Sequence, residues 1–266
     1  YDAVPTTGDL TFVGYEDVDK LAADETSHTE YCKENTLTGA RYTAGNFTEC
    51  THALIVGHYE LTDNDNPDAG VIKGSDDKPI TFYMYRNTAY LEDDLMNIIA
   101  NNGFVYVKTN DNLETYEIAD ADAYKLVQTE NDVTVVADAD NNTLTAALNW
   151  EEGDETTYYT RSGDTFTAIT EDNLSTINET ISSVGTIEVY TNGMGYYAVP
   201  IEHLATSGDG QYGVVRNHSY VLTVESITGL ADGIFSPGNP IVPTPPVKKY
   251  YVGATLNILS WHVVNQ

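Results

Sequence analysis

The sequence predicts a mainly β protein of the β-sandwich kind, and three observations lead there. Apolar residues recur with a period of two over short runs, and clusters of Asn, Asp, Gly and Pro separate those runs. Hydrophobic content of 41%, with 20 Tyr, 6 Phe and 2 Trp, marks a folded globular chain. At 266 residues it can bury one substantial core or two modest ones. This spacing suits a sandwich better than alternating β-α units.

Taken in order, Ala53–Leu61 reads as a central strand, followed by strands at Thr81–Tyr85, Phe104–Val107, Val133–Val136 and Ile187–Tyr190. Turn chemistry separates them at Asp63–Asp68, Lys73–Asp77, Asn101–Gly103 and Asn192–Gly193. Two stretches have a helical period instead. Leu91, Leu95, Ile98 and Ile99 share one helix face, with Gly103 placed as a C-terminal cap. Glu171–Ser182 sets Leu174, Ile177 and Ile181, with Ile169 before them, on one side and Asp172 near the positive end. Residues 110–165 are polar and show no clear period. The region from about Thr88 to Ser183 (88–183) is therefore expected to be a partly helical insertion decorating the sandwich. No internal repeat is found.

The last part of the chain returns to strands, at Gly195–His203 and Tyr212–Gly229. Pro237, Pro240, Pro243, Pro245 and Pro246 then form an extended, semi-rigid link. A final strand follows over Tyr251–Val264. Val252, Ala254, Leu256 and Ile258 share one face of it; beyond Ile258 the apolar set becomes Leu259, Trp261 and Val263 on the other. Side chains alternate strictly along a strand, so a bulge or break is expected at Ile258 to Ser260. Burying six or seven such side chains yields on the order of 10 kcal/mol before ordering costs. The strand either fills a groove on another molecule or completes its own domain; composition leaves both open.

The formal charge is −29, from 41 acidic and 12 basic residues, which makes nucleic acid an unsuitable partner. Self-association must rest on buried apolar surface. From Gly233 to Gln266 there is no Asp or Glu, and Lys248 and Lys249 precede the final strand. No run of about 18 apolar residues spans a membrane. Tyr1 and Asp2 follow no basic, apolar or lipidation signal, so the chain is expected to begin after any targeting sequence.

Candidate chemical sites are few. Cys32 and Cys50 form either a disulfide, worth about 3 kcal/mol for a loop of that size, or two buried thiols. Asp63, Asp65 and Asp68 offer oxygen ligands to calcium, but the EF-hand order fails and a polar hairpin cap has the same composition. His52 and His58 would stand about 20 Å apart on one strand, too far to share a metal. Glu151, Glu152, Asp154 and Glu155 have no controlled separation for a glycosidase pair. No nucleophile or phosphate-binding motif is present, so neither catalysis nor a cofactor is expected. Tyrosine pairs at Tyr158–Tyr159, Tyr196–Tyr197 and Tyr250–Tyr251 support a different reading, an adhesin or carbohydrate-binding module, through stacking on sugars.

A resemblance joins several of these stretches. Tyr31–Asn35, Gly195–His203, Tyr212–Tyr220, Ser226–Gly229 and Gly253–Gln266, in that order, resemble the fimbrillin family of Bacteroidales, the shaft subunits of type V pili, and most of all the structural subunit of the short (minor) fimbriae. The resemblance is strong over 185–266, fair over 30–60 and weak in the insertion. It implies transthyretin-like β-sandwich domains, a lipoprotein precursor of the outer membrane and no enzymatic activity. It also implies polymerisation in which the C-terminal strand of one copy fills a groove in another.

On that resemblance, residues 1–30 are an interdomain lead-in, 31–243 a C-terminal sandwich domain and 244–266 the donor segment. Val252, Ala254, Leu256, Ile258, Trp261 and Val263 are the expected groove-filling side chains. The expected partners are other copies of the chain, accessory tip and anchor subunits, and host or bacterial receptors, with the membrane reached only through the precursor lipid.

Overall fold

The computed structural model describes residues 12–22, 32–43, 47–62, 66, 70–110, 114–129, 139–203, 210–243 and, through their backbone, 251–260. The chain is mainly β, built from several antiparallel sheets and consistent with a β-sandwich class. It divides into two compact units: Tyr1–Tyr59, Asp132–Asp140 and Met194–Gln266 form the first, Glu60–Asn131 and Asn141–Gly193 the second.

The chain begins in the first unit with α1 (Tyr15–Ala22), β1 (Asn35–Leu37), α2 (Gly39–Thr43) and β2 (His52–His58). The second unit follows with β3 (Phe82–Tyr85), β4 (Thr88–Tyr90), α3 (Glu92–Ala100), β5 (Tyr106–Asn110), β6 (Thr115–Ile118), β7 (Tyr124–Gln128), β8 (Thr143–Leu148), β9 (Tyr158–Ser162), β10 (Thr165–Ala168), α4 (Glu171–Ser182) and β11 (Ile187–Tyr190). The return to the first unit supplies β12 (Met194–Pro200), β13 (Tyr212–Val214), β14 (His218–Thr228), β15 (Asp232–Gly233) and β16 (Tyr251–Ser260).

In the second unit a five-stranded antiparallel sheet, ordered β4-β3-β11-β8-β7, contributes to a core with both long helices. Leu95 and Ile99 of α3, Ile181 of α4 and Ile187 of β11 are fully buried there, each worth roughly 1.5–3 kcal/mol. Helix α3 has Glu92, Asp93 and Asp94 in its first turn, where the helix dipole favours anions. It ends toward Gly103, whose φ of 70° only glycine adopts without strain. Helix α4 starts where Asn173 Oδ1 accepts the Thr170 N–H at 2.8 Å. Its Asn178 in turn accepts the Leu148 N–H of β8 at 2.8 Å, fixing helix against strand.

A second sheet of this unit, β10-β9-β5-β6, turns Val107 and Tyr158 toward that core. Tyr106, Tyr116, Tyr159 and Phe166 gather in a separate ring cluster, in which Tyr116 and Phe166 stack at 4.0 Å.

In the first unit β12 pairs with β2 over seven residues, from Met194↔His58 to Pro200↔His52, and β15 flanks its other side. Tyr15, Met194, Tyr196, Ala198, Ile234 and Ile241 form the core, with Leu54 and Val56 packed against it. Buried tyrosine hydroxyls need partners, and here they relay. Tyr197 donates to Gly229 O at 2.9 Å, its oxygen lies 2.8 Å from the Tyr59 hydroxyl, and Tyr59 accepts the Ala231 N–H at 2.8 Å.

Several expectations change. The inserted unit begins at Glu60 rather than about Thr88 and ends at Gly193, because β3 and β11 lie together inside its largest sheet. Residues 1–30 are not only a lead-in: α1 falls among them and buries Tyr15 in the first unit's core. The Tyr212–Gly229 run divides into β13 and β14 around Asn217, which turns at φ 60°. The strand expected at Val133–Val136 lies outside the described residues.

Candidate assembly surface

Strands β14 and β16 form a two-stranded antiparallel sheet of their own. Their register runs from His218↔Ser260 to Thr228↔Tyr251, with one shift between Val224 and Ser226. The break expected at Ile258 to Ser260 is absent: the ladder passes Ile258, Leu259 and Ser260 without interruption. The irregularity sits instead on the partner strand, where Glu225 is the surplus residue of a bulge.

That surplus residue sets which side each residue takes. Tyr220, Leu222 and Val224 share a face by strict alternation, and without the bulge Ile227 would fall on the other. With it, Ile227 joins them. The register therefore aligns Tyr220 with Ile258, Leu222 with Leu256, Val224 with Ala254 and Ile227 with Val252. Four donor positions named from the sequence thus stand opposite four apolar residues of β14, while its fifth, Val221, stands opposite Asn257. The other two, Trp261 and Val263, lie outside the described residues. Val224 and Ile227 are 41% and 42% exposed, large for apolar side chains in a strand.

The root of this ribbon is polar. The Tyr220 hydroxyl accepts the Val215 N–H at 2.9 Å and lies 2.8 Å from His203 Nδ1, so a neutral His203 accepts its proton. The His203 and His218 rings meet edge to face at 5.0 Å. His218 Nδ1 lies 2.9 Å from the Arg216 carbonyl, and Arg216 pairs with Glu34 at 2.7 Å, ahead of β1. Burial, then the neighbouring His218, holds His203 below the usual imidazole range. The hydrogen bond from Arg216 lowers Glu34.

The segment ahead of the proline link is tied down from two sides. Asp140 accepts the Ser236 N–H at 2.6 Å and the Phe235 N–H at 3.3 Å, and donates its own N–H to Pro240 O at 2.8 Å. Ile241 N–H reaches Val13 O at 2.9 Å and Glu16 N–H reaches Pro237 O at 3.1 Å. Burial pushes Asp140 up to about 6, against the two backbone donors that pull it down.

The remaining candidates do not converge on a site. Cys32 is exposed and Cys50 buried, and they are not joined; burial pushes the Cys50 thiol up to about 12. Asp63, Asp65 and Asp68 lie outside the described residues, between Thr62 and Val71, which form an antiparallel bridge. Among the described residues no group of three or more His, Cys, Asp or Glu is placed to hold a metal ion. His52 sits at the start of β2, its Nδ1 2.8 Å from Cys50 O, and burial drives it down to about 4. Glu151, Glu152, Asp154 and Glu155 are all exposed. Tyr196 and Tyr197 are buried at 8% and 9% and offer no face to a sugar, Tyr158 and Tyr159 are half-buried, and Tyr250 and the Tyr251 side chain lie outside the described residues.

The chain is thus an antiparallel β protein whose strand β14 leaves Val221, Val224 and Ile227 exposed. Comparison with known proteins narrows that class. Residues 188–266 match the family model described as major fimbrial subunit protein type IV, fimbrillin, C-terminal. The matched stretch contains β12 to β16, and so the whole ribbon. This similarity supports a structural subunit of a cell-surface fimbria that polymerises with other subunits. No curated protein matches the chain significantly.

Proposed function

We propose that the protein is a shaft subunit of a fimbria on the outer membrane of a Gram-negative anaerobe, matured from a lipoprotein precursor and polymerising by donor-strand exchange. The C-terminal strand of one copy lodges in another, with Val252, Ala254, Leu256, Ile258, Trp261 and Val263 as its inserting side chains. The fibre serves adhesion and biofilm formation, and the chain has no catalytic role. Accessory tip and anchor subunits, and host or bacterial receptors, are its further partners.

The observation that carries this reading is the ribbon. Its strand β16 belongs to no other described sheet, lies in the stretch similar to fimbrillins, and comes from a tail without a single acidic residue in a chain of net charge −29. Charge keeps copies apart, so an uncharged apolar strand is the part that can bring them together. The buried Tyr196 and Tyr197 count against a sugar-binding module as the main role.

Deleting residues 250–266 tests the reading. The truncated chain should stay folded, as judged by an unchanged cooperative unfolding transition of the remainder, and should form no fibres or electrophoretic ladders. Normal fibres from that chain would remove the tail from the assembly. Leu256→Lys should have the same effect, since a desolvated ammonium on the apolar face costs several kcal/mol (roughly 3 or more).

A further inference from the structure

We infer that His203, with Tyr220 and His218, forms a clasp that ties the root of the ribbon to the body of the first unit and opens when His203 takes up a proton. The device belongs to the single chain and works whether or not copies assemble.

Its position follows from the topology. Strand β14 pairs with β16 and with no other described strand, so its first residues are tied to the body through side chains. His203 supplies the fixed half. Its N–H donates to Gln211 O at 2.7 Å, the Gly213 N–H donates to Ile201 O at 2.7 Å, and β13 pairs in turn with β1. The other half rides on the ribbon, where the Tyr220 hydroxyl lies 2.8 Å from His203 Nδ1.

The protons in this contact are determined by the partners. The Tyr220 oxygen already accepts the Val215 N–H at 2.9 Å, so its own O–H is the proton given to His203. That requires a bare Nδ1, hence a neutral ring with its proton on Nε2. A protonated His203 carries an N–H at Nδ1 as well, and donor then meets donor. The hydroxyl has to turn away, and the bond that holds Tyr220 against the body is lost.

The surroundings oppose that proton further. His218 of β14 stands edge to face with His203 at 5.0 Å, and Arg216 follows from the turn before it. The bordering carboxylates are already engaged. Glu34, ahead of β1, pairs with Arg216 at 2.7 Å, and Glu202 accepts from Gln211 Nε2 at 3.1 Å. The remaining titratable neighbours, Tyr212 of β13 and Tyr220, carry no charge in mild acid. An imidazolium at His203 therefore joins cations whose counter-charges are taken.

The sign is fixed by burial and by His218, which hold the closed His203 below the ordinary imidazole value. An open, hydrated His203 binds the proton more readily, so opening gains as pH falls from 6.5 toward the lowered value and is suppressed above it. At the far end Tyr197 still donates to Gly229 O at 2.9 Å, so the ribbon swings from that end rather than coming away.

Hydrogen exchange read by mass spectrometry tests the clasp on the full-length chain. Protection of peptides within residues 212–224 is compared at pH 7 and pH 5, after correction for the intrinsic pH dependence of exchange. Peptides from β2, β12 and β11 serve as references. In the wild type, protection of 212–224 should fall roughly fivefold or more while the references hold. His203→Gln offers an oxygen to the Tyr220 O–H and takes no proton, so its 212–224 protection should be the same at both pH values. Tyr220→Phe should exchange faster in this segment at pH 7 already and change little in acid. Should either variant lose protection in the references, the wild-type comparison still decides. Unchanged protection of 212–224 at pH 5, or an equal loss in β2 and β12, would overturn the clasp. Acid opening of His203→Gln to the wild-type extent, with its references intact, would overturn it too. Fibre formation enters none of these readings, so the shaft reading stands or falls separately, on the chain lacking residues 250–266.

Discussion

His52 and Asp140 are half-buried ionisable groups of the first unit that oppose each other in acid. Burial lowers His52 from 6.5 to about 4, so between those values the unfolded chain holds a proton that the folded chain refuses, and stability falls as pH falls. Burial raises Asp140 from 3.8 to about 6, so over that window the folded chain holds the proton, and stability rises as pH falls. Each is worth on the order of 3 kcal/mol across its window, with opposite sign, so the two largely cancel in the intact protein. Single variants should uncover them. His52→Gln should gain stability relative to wild type on going from pH 7 to pH 4.5. Asp140→Asn, which keeps an acceptor for Ser236, should be the more stable at pH 7 and lose that margin in acid. Denaturant unfolding at the two pH values measures both, and parallel shifts in all three proteins would contradict the assignment.

Among elements, the helices and long strands were readable because their periods are strong. Glu171–Ser182 and Ile187–Tyr190 emerge with the bounds expected, and Leu95 and Ile99 sit fully buried on the helix face assigned to them. The strands β5, β6, β9 and β10 were only partly legible, since they are short and their side chains meet as tyrosine rings, which count as polar in a hydropathy pattern. Helix α1 was missed because eight residues make too few turns to establish a period.

In the ribbon, the apolar alternation of the tail was legible but the partner strand was not. Pairing joins residues from 23 (Thr228↔Tyr251) to 42 (His218↔Ser260) positions apart, and nothing local marks which two strands meet. The bulge offers a test at this scale. Removing Glu225 shifts Ser226 to Thr228 by one position and turns Ile227 to the opposite face. The deletion should leave the two cores folded, with an unchanged near-ultraviolet spectrum, while fibre yield drops by roughly tenfold or more, as expected from losing about 1.5–3 kcal/mol of apolar contact. Full fibre yield would mean that the alignment of Ile227 with Val252 is immaterial.

Across the whole molecule, charge and apolar surface act against each other. With 41 acidic residues against 12 basic ones, copies repel at long range, and added salt shortens that range to about 10 Å at 0.1 M. Assembly followed by light scattering should therefore speed up between about 10 mM and 300 mM sodium chloride. A slowing would mean that ion pairs rather than uncharged strands join the copies.

The division into two units was legible only in outline, because composition does not change where the chain crosses from one to the other. Asp140 illustrates why. It closes a nine-residue stretch, Asp132–Asp140, that belongs to the first unit although the residues on both sides of it belong to the second.

That stretch has a consequence for anyone trimming the molecule. Cutting out everything from residue 60 to 193 looks like lifting a self-contained cassette from its host, yet it also discards the carboxylate that clasps Phe235 and Ser236. The stem from which the tail springs would then keep its ties to Val13, Glu16 and Met194 but lose this one. A minimised subunit should carry residues 132–140 across as a short bridge, or it will present its last strand from an unsteady mount.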